Sequence, residues 1–110
     1  MIGYKVLTAD QWAGFVAAGS FTGAPIDVAD GYIHLSAAEQ LTETVDKHFA
    51  GQTGLWVAAV DLAQLGDAVR WEASRGGALF PHLYAVLPMD AVIAAAPLER
   101  DASGAVALPS

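Results

Sequence analysis

Apolar residues recur along this chain in two rhythms, and the switches between them mark the predicted elements. Residues 3–7 (GYKVL) read as a first strand. Thr8 then opens a helix, with Gln11 three residues on as the partner of a capping box. Trp12, Phe15 and Val16 fall at helical spacing and predict its core face, and Gly19 is placed to end it. Residues 20–31 (SFTGAPIDVADG) are rich in Gly, Pro and Asp and predict turns. A short strand, YIHL, follows. Ser36 is the expected cap of a second helix, with Glu39 as its partner. Leu41, Val45 and Phe49 form that helix's inward stripe, Glu43 and Lys47 pair on its outer face, and Gly51 lies just past its end.

The second half reads as strands. LWVAAVD (55–61) is nearly continuous in apolar residues, as expected of a central strand covered on both faces. DLAQLGD predicts a helical turn. VRWE (69–72) alternates, with Val69 and Trp71 on one face and Arg70 and Glu72 on the other. HLYAV (82–86) and AVIAAAPLE (91–99) read as later strands, and residues 101–110 as an edge strand or a frayed tail. Five or six short strands with two helices confined to the first half predict one α+β domain over residues 1–110, not a regularly wound βαβ fold.

Composition narrows the partners. The formal net charge is −7, which argues against general nucleic-acid binding, because that draws on Lys and Arg to neutralise phosphates. With no Cys there is neither a disulfide framework nor a thiolate zinc site. The start, MIGYKVLTADQW, has no basic segment followed by an apolar run, and no stretch approaches the ~20 apolar residues of a membrane span. A cytoplasmic protein without membrane contact is expected.

Against this acidic background, two of the three arginines fall within RWEASRGGALFPHLY (70–84). Arg75 precedes Gly76 and Gly77, and a double glycine lets backbone approach a ligand while the guanidinium grips an anion. The spacing fits neither a P-loop nor a dinucleotide fingerprint. Arg70 and Glu72 share a strand face, where they are either part of a site or an exposed ion pair of small worth. His82 and Tyr84 also share a face, either for acid/base work and ring stacking or as a structural hydrogen-bonded pair. In YIHLS, period two turns His34 away from the core just before a helix start. There His34 and Ser36 either bind an anion, or Ser36 only caps while His34 bonds a loop. His48, in a last helical turn, reads as structural. His34, His82 and Glu72 lack the supporting spacing of a metal site, so no metal is expected.

Several stretches taken together resemble a known family. YKVL at the start, FTG at 21–23, ADGYIHLS at 29–36, HF at 48–49 and the RWE, SRGG and FPHLY segments of 70–84 look like the bacterial domain of unknown function nine hundred fifty-two. The likeness spans nearly the whole chain and keeps the order of the motifs. It implies a split, mostly antiparallel sheet similar to the ADP-ribosyltransferase superfamily, near the RNA 2′-phosphotransferases, and it puts His34 in the pocket that holds a nucleotide in those relatives. The chain departs from them in two places. Tyr4-Lys5-Val6 stands where the phosphotransferases carry His-Gly-Thr, and Ala29-Asp30-Gly31 stands where they carry an Arg. Glu72 is the only candidate for the late glutamate of toxin-type transferases.

Residues and resemblance together give a candidate set. His34, His82 and Glu72 are the expected catalytic groups; Thr22, Gly23, Ser36, Arg70, Trp71, Arg75, Gly76, Gly77, Phe80 and Tyr84 are the expected ligand contacts. The expected partner is a nucleotide or another anionic small molecule, with NAD or a related nucleotide as the implied cofactor. Transferase chemistry of the ADP-ribosyl or 2′-phosphate type is one expectation. A ligand-binding or interaction module that lost catalysis is the other, and the missing His-Gly-Thr speaks for it. A third reading makes the 70–84 cluster a structural hydrogen-bond network around Trp71.

Overall fold

The computed structural model describes residues 1–110, apart from the side chain of Arg75. Strand β1 (Ile2–Leu7) leads into helix α1 (Ala9–Ala18), then β2 (Ser20–Phe21), helix α2 (Pro25–Asp30), β3 (Ile33–His34) and helix α3 (Leu41–His48). β4 (Trp56–Asp61), β5 (Val69–Ala73), β6 (Leu79–Leu83), β7 (Leu87–Pro88) and β8 (Val92–Pro97) complete the chain, so the α+β expectation holds. Every strand pairing is antiparallel, in sheets ordered β1-β4-β8, β3-β6-β5 and β2-β7. The first two sheets are stitched where Tyr4 and Ser36 exchange backbone hydrogen bonds of 2.8 and 2.9 Å.

The apolar run at 56–61 forms the central strand of the first sheet, and both its faces are covered. Ala58 and Val60 join Leu7, Phe15 and Leu83 in one core cluster, while Val57 and Ala59 join Tyr4, Leu41 and Val45 in another. Thr8 caps α1 as its sequence predicts: its Oγ accepts from the Gln11 N–H at 3.1 Å, and the Gln11 side chain accepts from the Thr8 N–H at 2.9 Å. Gly19 closes that helix in the left-handed region, at φ 75°. Leu41, Val45 and Phe49 face inward, and Lys47 lies 3.3 Å from Glu43.

Four local expectations are corrected. Val16 is 56% exposed, because Trp12 and Phe15 alone turn α1 onto the core, with Trp12 stacked on Trp56 at 5.2 Å. Residues 20–31 are not all turn. Pro25 opens α2, and Asp27 accepts the Ala24 N–H at 2.7 Å, which makes a short capped helix out of turn-forming residues. Ser36 caps no helix and Glu39 is not a capping partner. Ser36 is buried against Thr44 at 2.9 Å, and Gln40 instead receives the Ala37 N–H at 2.9 Å. The strand expected at 82–86 starts at Leu79 and ends at Leu83, since Glu72 and Arg70 on β5 pair with Phe80 and His82. The tail is pinned: Val106 is buried and its N–H donates to Thr42 Oγ at 2.9 Å. No helix is long and apolar enough to cross a membrane among the described residues.

One buried ion pair joins these parts. Lys5 on β1 sends its ammonium to both oxygens of Asp27 on α2, at 3.1 and 2.9 Å, and to the His34 carbonyl at 3.1 Å. The Asp27 carboxylate also accepts the His34 N–H at 3.0 Å and the His34 Nδ1 at 2.6 Å. Burial alone would raise the Asp27 pKa. The His34 ring, the Lys5 charge and the two N–H donors outweigh it and hold the carboxyl well below the usual range. Gly23 fits tightly beside it, at φ +126° with the Asp27 Cβ 3.0 Å from where a Cβ of its own would stand.

Removing the Asp27 carboxylate strands Lys5 in the interior, so Asp27→Ala is expected to cost about 3–5 kcal/mol in a urea titration. Because the folded pKa of Asp27 lies below its unfolded value near 3.9, its stabilisation is complete above about pH 4 and drains away as pH falls toward the folded value. The wild type should therefore weaken on acidification below pH 4, and Asp27→Ala should lose that component of the pH dependence. Gly23→Ala is expected to lower stability by about 1–3 kcal/mol, from left-handed strain and the close approach to Asp27.

Candidate functional site

Strand register, not sequence proximity, assembles the site. On the sheet β3-β6-β5, His34 lies opposite His82, and His82 lies opposite Arg70. Opposed residues of an antiparallel ladder share a face, and so do residues two apart on one strand. The face carrying His34, His82 and Arg70 therefore also carries Glu72 and Phe80. The opposite face buries Ile33 and Leu83 in the core.

Tyr32 sits at the centre of this face. Its ring stacks on His82 with centroids 4.0 Å apart, and lies 4.6 Å from His34 and 5.2 Å from Tyr84. Partial burial and the nearby Asp30 and Glu72 charges raise its phenol pKa. A cleft of about 570 Å³ opens beside these rings. Its walls include Tyr4, Tyr32, Phe49 and Phe80 as rings, and Thr8, Gln11, Ser36 and Thr44 as hydrogen-bonding groups. His34 and His82 line it as well, with Ser74 at the end of β5. The volume lies within the ~300–1,000 Å³ common for small-molecule sites.

The two histidines differ. His34 is wedged between carboxylates, with Nδ1 2.6 Å from Asp27 and Nε2 2.9 Å from Asp30. Each ring nitrogen faces a carboxylate oxygen, so His34 keeps neither nitrogen for a ligand. The expectation that His34 binds an anion or shuttles a proton meets that obstacle. His82 is buried, 3% exposed, with Nδ1 2.8 Å from Glu72 Oε1. The same oxygen accepts the Tyr84 hydroxyl at 2.6 Å. The Tyr84 and His82 hydrogen bonds hold the Glu72 carboxyl below its ordinary pKa, and Glu72 in turn raises that of Tyr84. Arg70 stands over the Tyr84 ring at 4.7 Å, so its charge is spent on that ring more than on Glu72.

Among the other expected contacts, Ser36 and Phe80 line the cleft. Thr22 and Tyr84 line a second hollow of about 390 Å³ on the far side of Tyr32. Gly23 has a backbone reason for its place, given above. Trp71 is 38% exposed on the opposite face of β5, so the cluster is not built around it. Gly76 and Gly77 turn the β5–β6 loop with positive φ of 64° and 82°. The side chain of Arg75, expected to hold an anion, lies outside the described residues. Sequence reading overlooked Lys5, Asp27, Asp30 and Tyr32. Two of the four carry a signal: Asp27 stands three residues after Ala24, where a capping carboxylate belongs, and Tyr32 is in period with His34. No group of three or more His, Asp or Glu able to hold a metal occurs among the described residues.

Comparison with known proteins agrees with this architecture. The crystal structure of protein CC0527 from Caulobacter crescentus superposes with a TM-score of 0.89 at 47% identity, over 98% of this chain and 95% of that one. Its solution NMR structure superposes with a TM-score of 0.81 at 48% identity, over 96% and 90%. No curated protein matches the chain. Residues 6–95 match the family described as protein of unknown function DUF952, and the chain belongs to that family.

Proposed function

We propose that the cleft binds a nucleotide or a comparable phosphorylated, ring-bearing small molecule. The observation that carries this reading is the make-up of the cleft: about 570 Å³, with Tyr4, Tyr32, Phe49 and Phe80 and several hydroxyl and amide groups in its walls, and the buried His82 in its lining beside His34, His48 and Asp30. Flat rings offer stacking surfaces to a base, and hydroxyls and amides suit a sugar and its phosphates. The walls come from β1, α1, β3, α3 and β6, elements fixed by core packing and by the Asp27 hub, so little ordering cost falls on binding.

The finer reading is transferase chemistry of the ADP-ribosyl or 2′-phosphate type, with NAD or a related nucleotide as co-substrate. The sequence resemblance supports it. Glu72 would then act through His82, because its carboxylate backs that ring and does not line the cleft. The reading of a binding module without catalysis has an observation in its favour. Lys5, on the strand where the transferases carry His-Gly-Thr, is consumed by Asp27, and His34 is saturated by two carboxylates. Both readings share the ligand class.

A thermal-shift series with NAD, ADP-ribose, AMP and inorganic phosphate tests the ligand. At 100 times its dissociation constant a ligand adds about 2.7 kcal/mol, which is a rise on the order of 10 °C in Tm for a domain of this size. Phe80→Ala is expected to abolish the rise in a protein that still melts cooperatively. No rise with any of the four compounds would remove the nucleotide reading. Release of nicotinamide from NAD, abolished by His82→Ala, is the result expected of a transferase; binding with NAD left intact is that expected of a module.

A further inference from the structure

We infer that His82 Nε2 is a hydrogen-bond acceptor for a hydroxyl of the ligand, and that Glu72 is the positioning residue that keeps it so. This rests on the proposed ligand reading and names which part of the ligand meets which atom.

Glu72 is ionised at neutral pH, and an ionised carboxylate has no proton to give. The 2.8 Å contact therefore requires His82 Nδ1 to be the donor. In the neutral imidazole that leaves Nε2 with a bare lone pair. Among the described residues no protein group hydrogen-bonds Nε2. The ring is buried, its side chain 4% exposed, and it lines the cleft, while Glu72 lies outside the lining. A buried polar atom without a partner is costly, so the open nitrogen calls for a donor from the ligand or from water.

The ring cannot swing to lose this aim. Tyr32 covers one face at 4.0 Å, and the β6 backbone is held on both sides by β3 and β5. The Tyr84 hydroxyl occupies the same Glu72 oxygen at 2.6 Å and fixes the carboxylate in turn. A lone pair repels phosphate oxygen and attracts O–H. The group seated at His82 is therefore a hydrogen-bond donor, for a nucleotide a ribose hydroxyl, and the ligand's phosphate lies elsewhere in the cleft.

Two measurements decide it. In a long-range ¹H–¹⁵N spectrum of the unliganded protein at pH 7.5, His82 should carry its proton on Nδ1 alone. Glu72→Ala should leave the fold intact and let both His82 tautomers appear. By calorimetry, AMP should bind about tenfold more tightly than its 2′,3′-dideoxy analogue, the worth of one hydrogen bond. Glu72→Ala should shrink that ratio toward one, and Phe80→Ala should weaken both ligands alike. A proton on Nε2 in the wild type would overturn the inference. So would equal binding of AMP and its dideoxy analogue, and the nucleotide reading would then stand. If neither nucleotide binds, the nucleotide reading falls and takes the hydroxyl site with it.

Discussion

A carboxylate with almost no contact with water sets the terms for the rest of this structure. Asp27 is 2% exposed and receives an ammonium, an imidazole and two backbone N–H groups. Those donors come from β1, from β3 and from the entry to α2. Without them a six-residue helix opened by proline would have little to hold it, since short helices gain most of their stability from tertiary contacts. A buried ion pair is weak evidence for net stability, because desolvation offsets much of the attraction. Here its effect is geometric: it decides where α2 sits, which face of β3 His34 presents, and that Lys5 is buried with its β1 neighbours from Gly3 to Leu7.

The same hub divides labour between the histidines. Asp27 and Asp30 take both nitrogens of His34, so that ring bridges α2 to β3. His82, one strand over, has a single carboxylate partner and faces the cleft with its other edge. Two residues of one type, opposite each other in register, thus differ in role because one meets two acceptors and the other meets one. Tyr32 stands between them and separates the main cleft from the smaller hollow beyond.

Much of the architecture was legible in local pattern. The Thr8 box, the Gly19 stop, the Leu41–Val45–Phe49 stripe and the doubly covered strand at 56–61 are all decided by near neighbours or by periodicity. The face-sharing of Arg70 with Glu72 also followed from period two, whereas that of His82 with His34 came only with the strand register. What could not be read was set by distant partners. Nothing near Asp27 in sequence announces that Lys5, 22 residues earlier, will neutralise it, so the local composition of α2 reads as turn. Ser36 looked like a cap, but its backbone is drawn into a pairing with Tyr4 and its hydroxyl into Thr44. Val16 has the right spacing, but with Phe15 buried and Trp12 packed on the core edge against Trp56, that side of α1 leaves it in solvent.

Fold and ligand chemistry are therefore carried by separable residues. Asp27, Lys5 and Gly23 act on how β1, α2 and β3 meet. His82, Glu72 and Phe80 lie on a face whose backbone is held by register whether or not a ligand is present. The fold by itself names no reaction. The distinction between transferase and binding module lies in whether any group besides His82 can exchange a proton inside the cleft. With His34 held by two carboxylates and Lys5 withdrawn into its ion pair, the titratable side chains that line the cleft besides these include His82, His48 and Asp30, beside the hydroxyl groups of the wall. Of these, His82 is the one backed by the Glu72 carboxylate, and the proposed chemistry depends on what a ligand would bring to it.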